Sequence, residues 1–154
     1  MPAATPRLVV PFNEHARIQF TDTAPGASTA RIPDAHELTN HLGTVHGGAL
    51  FTVAEAASGR AFMETALTYA RAAGWDISAF RAVVRNAQIR FRKPARGEIS
   101  AHARLITPVE QWAEVLQAEG KAVANVSVEV QDASGALVAE MQVEWHVANT
   151  ARSQ

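Results

Sequence analysis

The residues best equipped for chemistry stand in one stretch, Asn40-His41-Leu42-Gly43-Thr44-Val45-His46-Gly47-Gly48-Ala49-Leu50-Phe51-Thr52-Val53-Ala54-Glu55. It reads as a glycine-bearing loop opening into a helix, with one acid two turns in. A helix N-terminus carries N–H groups without an intrahelical acceptor and a partial positive charge. Glycine at Gly47 and Gly48 lets a ligand oxygen reach such an N–H without meeting a side chain. An N–H so placed can hold the oxygen of a thioester carbonyl as it becomes an oxyanion, often an effect of about a few kcal/mol. Glu55 has only small apolar neighbours, Val53, Ala54, Ala56 and Ala57. A carboxylate beside a buried stripe loses hydration, which raises its pKa and its reactivity.

Each residue also has a plainer reading. Glu55 could face solvent, Gly47-Gly48 could be an ordinary loop-to-helix turn, and Asn40 a turn residue. His46 reads better as a hydrogen-bonding residue that shapes the turn than as a metal ligand, because no second ligand stands at helical spacing from it. Neither a metal nor a cofactor is expected. Gly47 and Glu55 are eight residues apart, roughly 12 Å along a helix. A carboxylate cannot bridge that gap to attack a carbon held at Gly47. If both act on one substrate they come from different subunits, so the expectation is a homodimer with two equivalent interfacial sites.

The element carrying these residues is a long helix expected over 47–73. Leu50, Val53, Ala54, Ala57, Ala61 and Leu67 recur at three- and four-residue spacings, nine alanines lie between 49 and 73, and Gly74 supplies a stop. Gly59 costs about 1 kcal/mol there relative to alanine, which points to close packing. Four strands follow, each with period-two alternation. Ala87, Ile89 and Phe91 alternate with Asn86, Gln88, Arg90 and Arg92, and that strand ends at Pro94-Ala95-Arg96-Gly97. The others are expected over 99–105, 124–131 and 137–145, with a turn at Asp132-Ala133-Ser134-Gly135 before the last. Residues 108–119 form a short helix or a bent connection, and 15–22 and 28–33 supply one or two further strands. The fold class is α+β, an antiparallel sheet covered on one face by the long helix.

A chain of 154 residues with 47% hydrophobic content suits one domain with a real core. The expected division is a tail over 1–12, a domain over 13–148 and a tail over 149–154. A net charge of -1 gives no general pull toward nucleic acid or an acidic membrane. The absence of cysteine excludes disulfides and thiolate chemistry. The start, Met1-Pro2-Ala3-Ala4-Thr5-Pro6-Arg7, lacks the basic and apolar regions of a secretory signal, and no run of 18 apolar residues exists to span a membrane. A cytoplasmic location is expected.

Around Asn40 the chain resembles the hot-dog-fold acyl-CoA thioesterase superfamily, in its phenylacetic-acid-degradation (PaaI-type) branch. The matching pattern is Asn40, Gly43, His46-Gly47-Gly48 and an acid nine residues after the histidine, Glu55. It continues through Ala87-Gln88-Ile89-Arg90-Phe91-Arg92-Lys93-Pro94-Ala95-Arg96-Gly97 and Asp132-Ala133-Ser134-Gly135-Ala136-Leu137-Val138-Ala139-Glu140, so it covers roughly 35–147. The resemblance implies a curved antiparallel sheet around one long helix, a homodimer or tetramer, and metal-free hydrolysis of acyl-CoA. It implies that the Gly47 N–H polarises the thioester carbonyl, with Gly48 beside it, that Asn40 places water or substrate, and that His46 orients the turn. Glu55 of the partner chain acts as general base or as nucleophile. Arg90, Arg92, Lys93 and Arg96 either contact CoA phosphates or form a solvated strand end.

The chain departs from the pattern in two places. Many relatives have Asp where Glu55 stands, and some have Ser or Thr, to hold the attacking water, where this chain reads Val83-Val84. Ser58 is the candidate replacement hydroxyl. Two other functions fit the same fold: a non-catalytic acyl- or CoA-binding dimer, and a hydratase or dehydratase. The last usually pairs an acid with a working histidine, a role His46 in its turn does not suit. Phe51, Phe62, Trp75, Phe80 and Trp112 either line an aromatic or medium-chain acyl pocket or belong to the core.

Overall fold

The computed structural model describes residues 9–152. Of the expected tails, residues 1–8 and 153–154 lie outside the described residues. In chain order the elements are α1 (Pro11–His15), β1 (Gln19–Ala24), β2 (Ala27–Ile32), α2 (Gly47–Ala73), β3 (Phe80–Phe91), β4 (Ile99–Leu105), α3 (Val109–Glu119), β5 (Lys121–Gln131) and β6 (Leu137–Asn149). The six strands make one antiparallel sheet in the order β1-β2-β4-β5-β6-β3. Helix α2 lies across one face, mainly on β4, β2 and β5. This is the hot-dog fold.

Helix α2 has the bounds its sequence predicts, because both ends are chemically marked. His46 caps the start, and Gly74 ends it in the left-handed region at φ 69° with its N–H on the Ala70 and Arg71 carbonyls. Leu50, Val53, Ala54, Ala57 and Ala61 are buried, while Leu67 is only half-buried. The sheet meets this stripe with small residues of its own, Ala30, Ala101, Ala103 and Ala124, all buried.

Gly59 exists for Trp145. A Cβ at Gly59 would stand 2.9 Å from Cζ2 and 3.1 Å from Cη2 of that indole. The indole N–H donates to Ser58 Oγ at 3.0 Å, and Ser58 Oγ donates to the Glu55 carbonyl at 2.7 Å. Gly59→Ala should therefore destabilise the protein although alanine is the better helix former. Overpacking costs about 1–3 kcal/mol against a propensity gain of about 1. A fall in melting temperature of a few degrees, read by calorimetry, is expected; a rise would contradict the packing argument.

β4 has its expected bounds, while β3, β5 and β6 exceed theirs. β3 begins at Phe80 rather than near Asn86, because a bulge between Val84 and Asn86 interrupts the alternation that marks a strand. Ala82, Val84, Ala87 and Ile89 are half-buried on either side of it. Phe91, expected on the same face as Ala87 and Ile89, is 53% exposed. Residues 108–119 resolve into α3, which buries Trp112, Ala113 and Leu116 and sets Trp112 against Phe62 with ring centroids 5.4 Å apart. Among the described residues β3 pairs only with β6, which leaves its outer edge unpaired there.

Candidate active site

Three separate turns build the site in tiers. In the first, Asn40 closes its own loop: Oδ1 accepts from Leu42 N–H at 2.9 Å and Thr44 N–H at 3.2 Å, and Nδ2 donates to Thr44 Oγ1 at 2.8 Å. Val45 N–H then donates to the Ala95 carbonyl at 2.8 Å, resting this loop on the turn after β3. That turn rests on a third. Asp132 Oδ2 accepts from Arg96 N–H at 3.2 Å, Ala133 N–H donates to the Arg96 carbonyl at 3.3 Å, and a Cβ on Gly97 (φ 77°) would collide with Ala133 Cβ at 2.7 Å. Asp132 also accepts from the Ser134 hydroxyl and N–H, bonds that hold its carboxyl below the usual carboxylate range. The three sequence segments noted above are thus the three tiers of one support.

On this support sits the start of α2. His46 is the N-cap, with its N–H on the Leu38 carbonyl at 2.8 Å. Its Nδ1 accepts from Gly48 N–H at 2.8 Å, while Ala49 and Leu50 N–H turn to the His46 carbonyl. The Gly47 N–H alone in this turn has no acceptor among the described residues. Phe91 lies against it, its Cζ 3.4 Å from where a Gly47 Cβ would be. The exposed Phe91 ring thereby stands beside the residue that carries the free, positively polarised N–H.

Glu55 lies two turns along the same helix, half-buried, with no side-chain hydrogen bond or ion pair among the described residues. Burial alone raises its pKa. An unpaired, desolvated carboxylate is poised to take a proton. Gly47 and Glu55 of one chain remain roughly 12 Å apart along the helix axis.

Other expected residues are placed differently. Ser58 is completely buried, with its hydroxyl engaged by the Trp145 indole N–H and the Glu55 carbonyl. Arg92 forms an ion pair with Glu140, its Nε donating at 2.6 Å, because β3 and β6 are neighbours. Arg90, Lys93 and Arg96 are exposed and form no ion pair among the described residues. Phe91, Thr44 and Ala95 contribute to the site without having been singled out; their signal is contact between distant segments, which spacing along one chain does not carry. Among the described residues no three His, Asp or Glu side chains stand together as a metal site.

The fold has counterparts among known proteins. A family model described as a domain of unknown function, DUF4442, matches residues 4–147. No curated protein matches the chain. A Pseudomonas aeruginosa protein described as of unknown function and a probable thioesterase is 28% identical over 90% of this chain and 87% of its own, with a TM-score of 0.75. A thioesterase from Haemophilus influenzae shares the fold at 15% identity, covering 90% of this chain and 83% of its own, with a TM-score of 0.69. The E. coli PaaI protein of the phenylacetic acid degradation operon does so at 17% identity, covering 89% and 82%, with a TM-score of 0.66. With the family model spanning nearly all of its length and the sheet and helix arranged as in these structures, the chain belongs to the DUF4442 family and has the hot-dog fold of thioesterases.

Proposed function

We propose that this protein is an acyl-CoA thioester hydrolase working as a two-fold dimer. The observation that carries the proposal is the free Gly47 N–H at the start of α2, in a helix that also bears a desolvated, unpaired Glu55. The unpaired edge of β3, twelve residues long, suits antiparallel pairing with the same strand of a second copy. Such pairing reverses the strand ends, bringing the Phe91–Gly47 end of one copy toward the Phe80 end of the other. A substrate carbonyl on one copy's Gly47 then meets the other copy's Glu55.

In the proposed reaction Gly47 N–H donates to the thioester oxygen, which gains negative charge as the carbonyl carbon is attacked. With Glu55 as general base, the carboxylate takes a proton from water and the hydroxide adds to carbon. With Glu55 as nucleophile, an acyl–carboxylate anhydride forms first and water cleaves it. In both, the C–S bond breaks, CoA leaves as thiolate and takes up a proton, and the acid is released. After a single turnover in ¹⁸O-labelled water, label in the Glu55 carboxylate identifies the nucleophilic route. Asn40 acts by holding the loop under Gly47, since its carbonyl oxygen is committed within the turn.

Arg90, Lys93 and Arg96 are the proposed contacts for CoA phosphates; Arg92 is held by Glu140. Arg90→Ala combined with Lys93→Ala should raise KM for acyl-CoA about tenfold with little change in kcat, and flatten its salt dependence. An unchanged KM in steady-state assays would remove these residues from the binding site.

Thiol release across a panel of acyl-CoAs tests the whole proposal, and sedimentation tests the dimer: an active monomer would refute the shared site. A binding dimer without turnover is the second reading, favoured by the missing hydroxyl at Val83-Val84 and the burial of Ser58. Calorimetric binding of acyl-CoA with no thiol release would establish it.

A further inference from the structure

Helix α2 presents Gly47, Phe51 and Glu55 along one side. Each stands four residues after the last, an advance of about 40° around the helix, so the three share an arc of about 80°. Leu50, Val53, Ala54 and Ala57 form the buried stripe instead. Gly47 and Glu55 are half-buried, and Phe51 is the one large apolar side chain of α2 that is exposed, at 36%. A single exposed phenylalanine needs no explanation by itself. Its position along the helix supplies one.

Residue 51 is the midpoint of 47 and 55. The proposed function has Gly47 of each copy meet Glu55 of the other across a two-fold axis. That axis exchanges the two Gly47–Glu55 pairs, so it runs between the two midpoints. By the same symmetry, the helix axes at residue 51 lie no farther apart than they do between Gly47 and the other copy's Glu55. A bound carbonyl and one glutamate side chain span that gap, about the 8–10 Å at which helices pack. Two phenylalanine side chains facing each other across it reach the centroid separation of about 4.5–7 Å that aromatic pairs prefer. Resting on that shared-site reading, we propose that Phe51 meets Phe51 of a second copy on the two-fold axis. The pair sets the spacing of the two α2 helices and separates the two sites. Phe51 is thus a positioning residue, acting through Gly47 and the other copy's Glu55.

The test exploits a chain without cysteine, in which Phe51→Cys carries a single thiol. Treated with a short bis-maleimide, which bridges gaps wider than a disulfide allows, this variant should shift to twice the chain mass on a denaturing gel. Val115→Cys is the control and should keep the single mass. Val115 is 38% exposed on α3, the helix that sets Trp112 against Phe62. Phe62 lies about 16 Å beyond Phe51 along α2.

A second measurement uses charge, because a residue that meets itself can be paired by mixing two variants. Phe51→Arg and Phe51→Glu should each sediment as monomers with thiol release lost, since like charges meet on the axis. An equal mixture should sediment as a dimer and regain thiol release. A Phe51→Cys protein that sediments as a dimer but does not cross-link overturns the proposal. So does a dimer formed by either charged variant alone, or a mixture that stays monomeric. Thiol release by a wild-type dimer in any of those cases leaves the thioesterase reading standing. Cross-linking at residue 51 with no thiol release from any acyl-CoA keeps the Phe51 contact and rejects the thioesterase.

Discussion

Glu55→Gln is expected to lower kcat about 10²–10⁴-fold and, at neutral pH, to raise the melting temperature. Both effects come from the same burial. Because desolvation raises the Glu55 pKa in the folded chain, the folded state holds that proton more tightly than the unfolded state. Between the two pKa values the native protein binds more protons, so stability falls as pH rises through this window, and the full penalty remains above it. Glutamine keeps the shape and never carries the charge. Its stabilising advantage should therefore be present at pH 7.5 and vanish at a pH below the ordinary glutamate value. Wild-type kcat/KM should rise with pH through the raised pKa, since only the carboxylate can act. Calorimetry at the two pH values together with a thiol-release profile checks both halves. A variant with wild-type turnover would remove Glu55 from the mechanism.

The second large effect comes from a pair of variants at Gly47, the first residue of α2. Gly47→Pro deletes the N–H and adds a ring whose Cβ meets Phe91 as an alanine methyl would, at the helix position where proline fits best. His46 already has the extended backbone that proline requires before it, φ -63° and ψ 137°. The fold should survive, and kcat should drop about 10²–10³-fold, the usual effect of one lost oxyanion donor. Gly47→Ala keeps the N–H and sets a methyl group at van der Waals distance from Phe91, 3.4 Å; its loss should stay below about tenfold. Equal kcat for the proline and alanine variants would mean the N–H does not stabilise the transition state.

How much of this was legible in the sequence differs from residue to residue. α2 could be bounded correctly because its signals are local: glycines at both ends and an apolar stripe between. β5 and β6 were recognisable because alternating residues bury one face, as Val126 and Val128 or Met141 and Val143 do. The first half of β3 was not, since the bulge beside Arg85 breaks the alternation. Within the site, the helix start could be read from neighbouring residues, whereas periodicity left Glu55 open between solvent and the buried stripe, and its selection came from the resemblance. The fates of Ser58 and Arg92 could not be read. Ser58 meets Trp145, 87 residues away, and Arg92 meets Glu140, 48 residues away, and only the strand order brings those partners together.

The three-tiered support under Gly47 also governs when the site can come into being. Its lowest tier is the turn at Asp132–Gly135, the middle tier is the turn at Ala95, and only above these is the loop at Asn40 fixed. A chain emerging from the ribosome can make α2 early, since helices need only local contacts, but the start of α2 lacks this support until residues near 135 have been synthesised and folded back. On the proposed reading, a nascent chain that carries Asn40, Gly47 and Glu55 but lacks residues 132–135 is therefore expected to be inert.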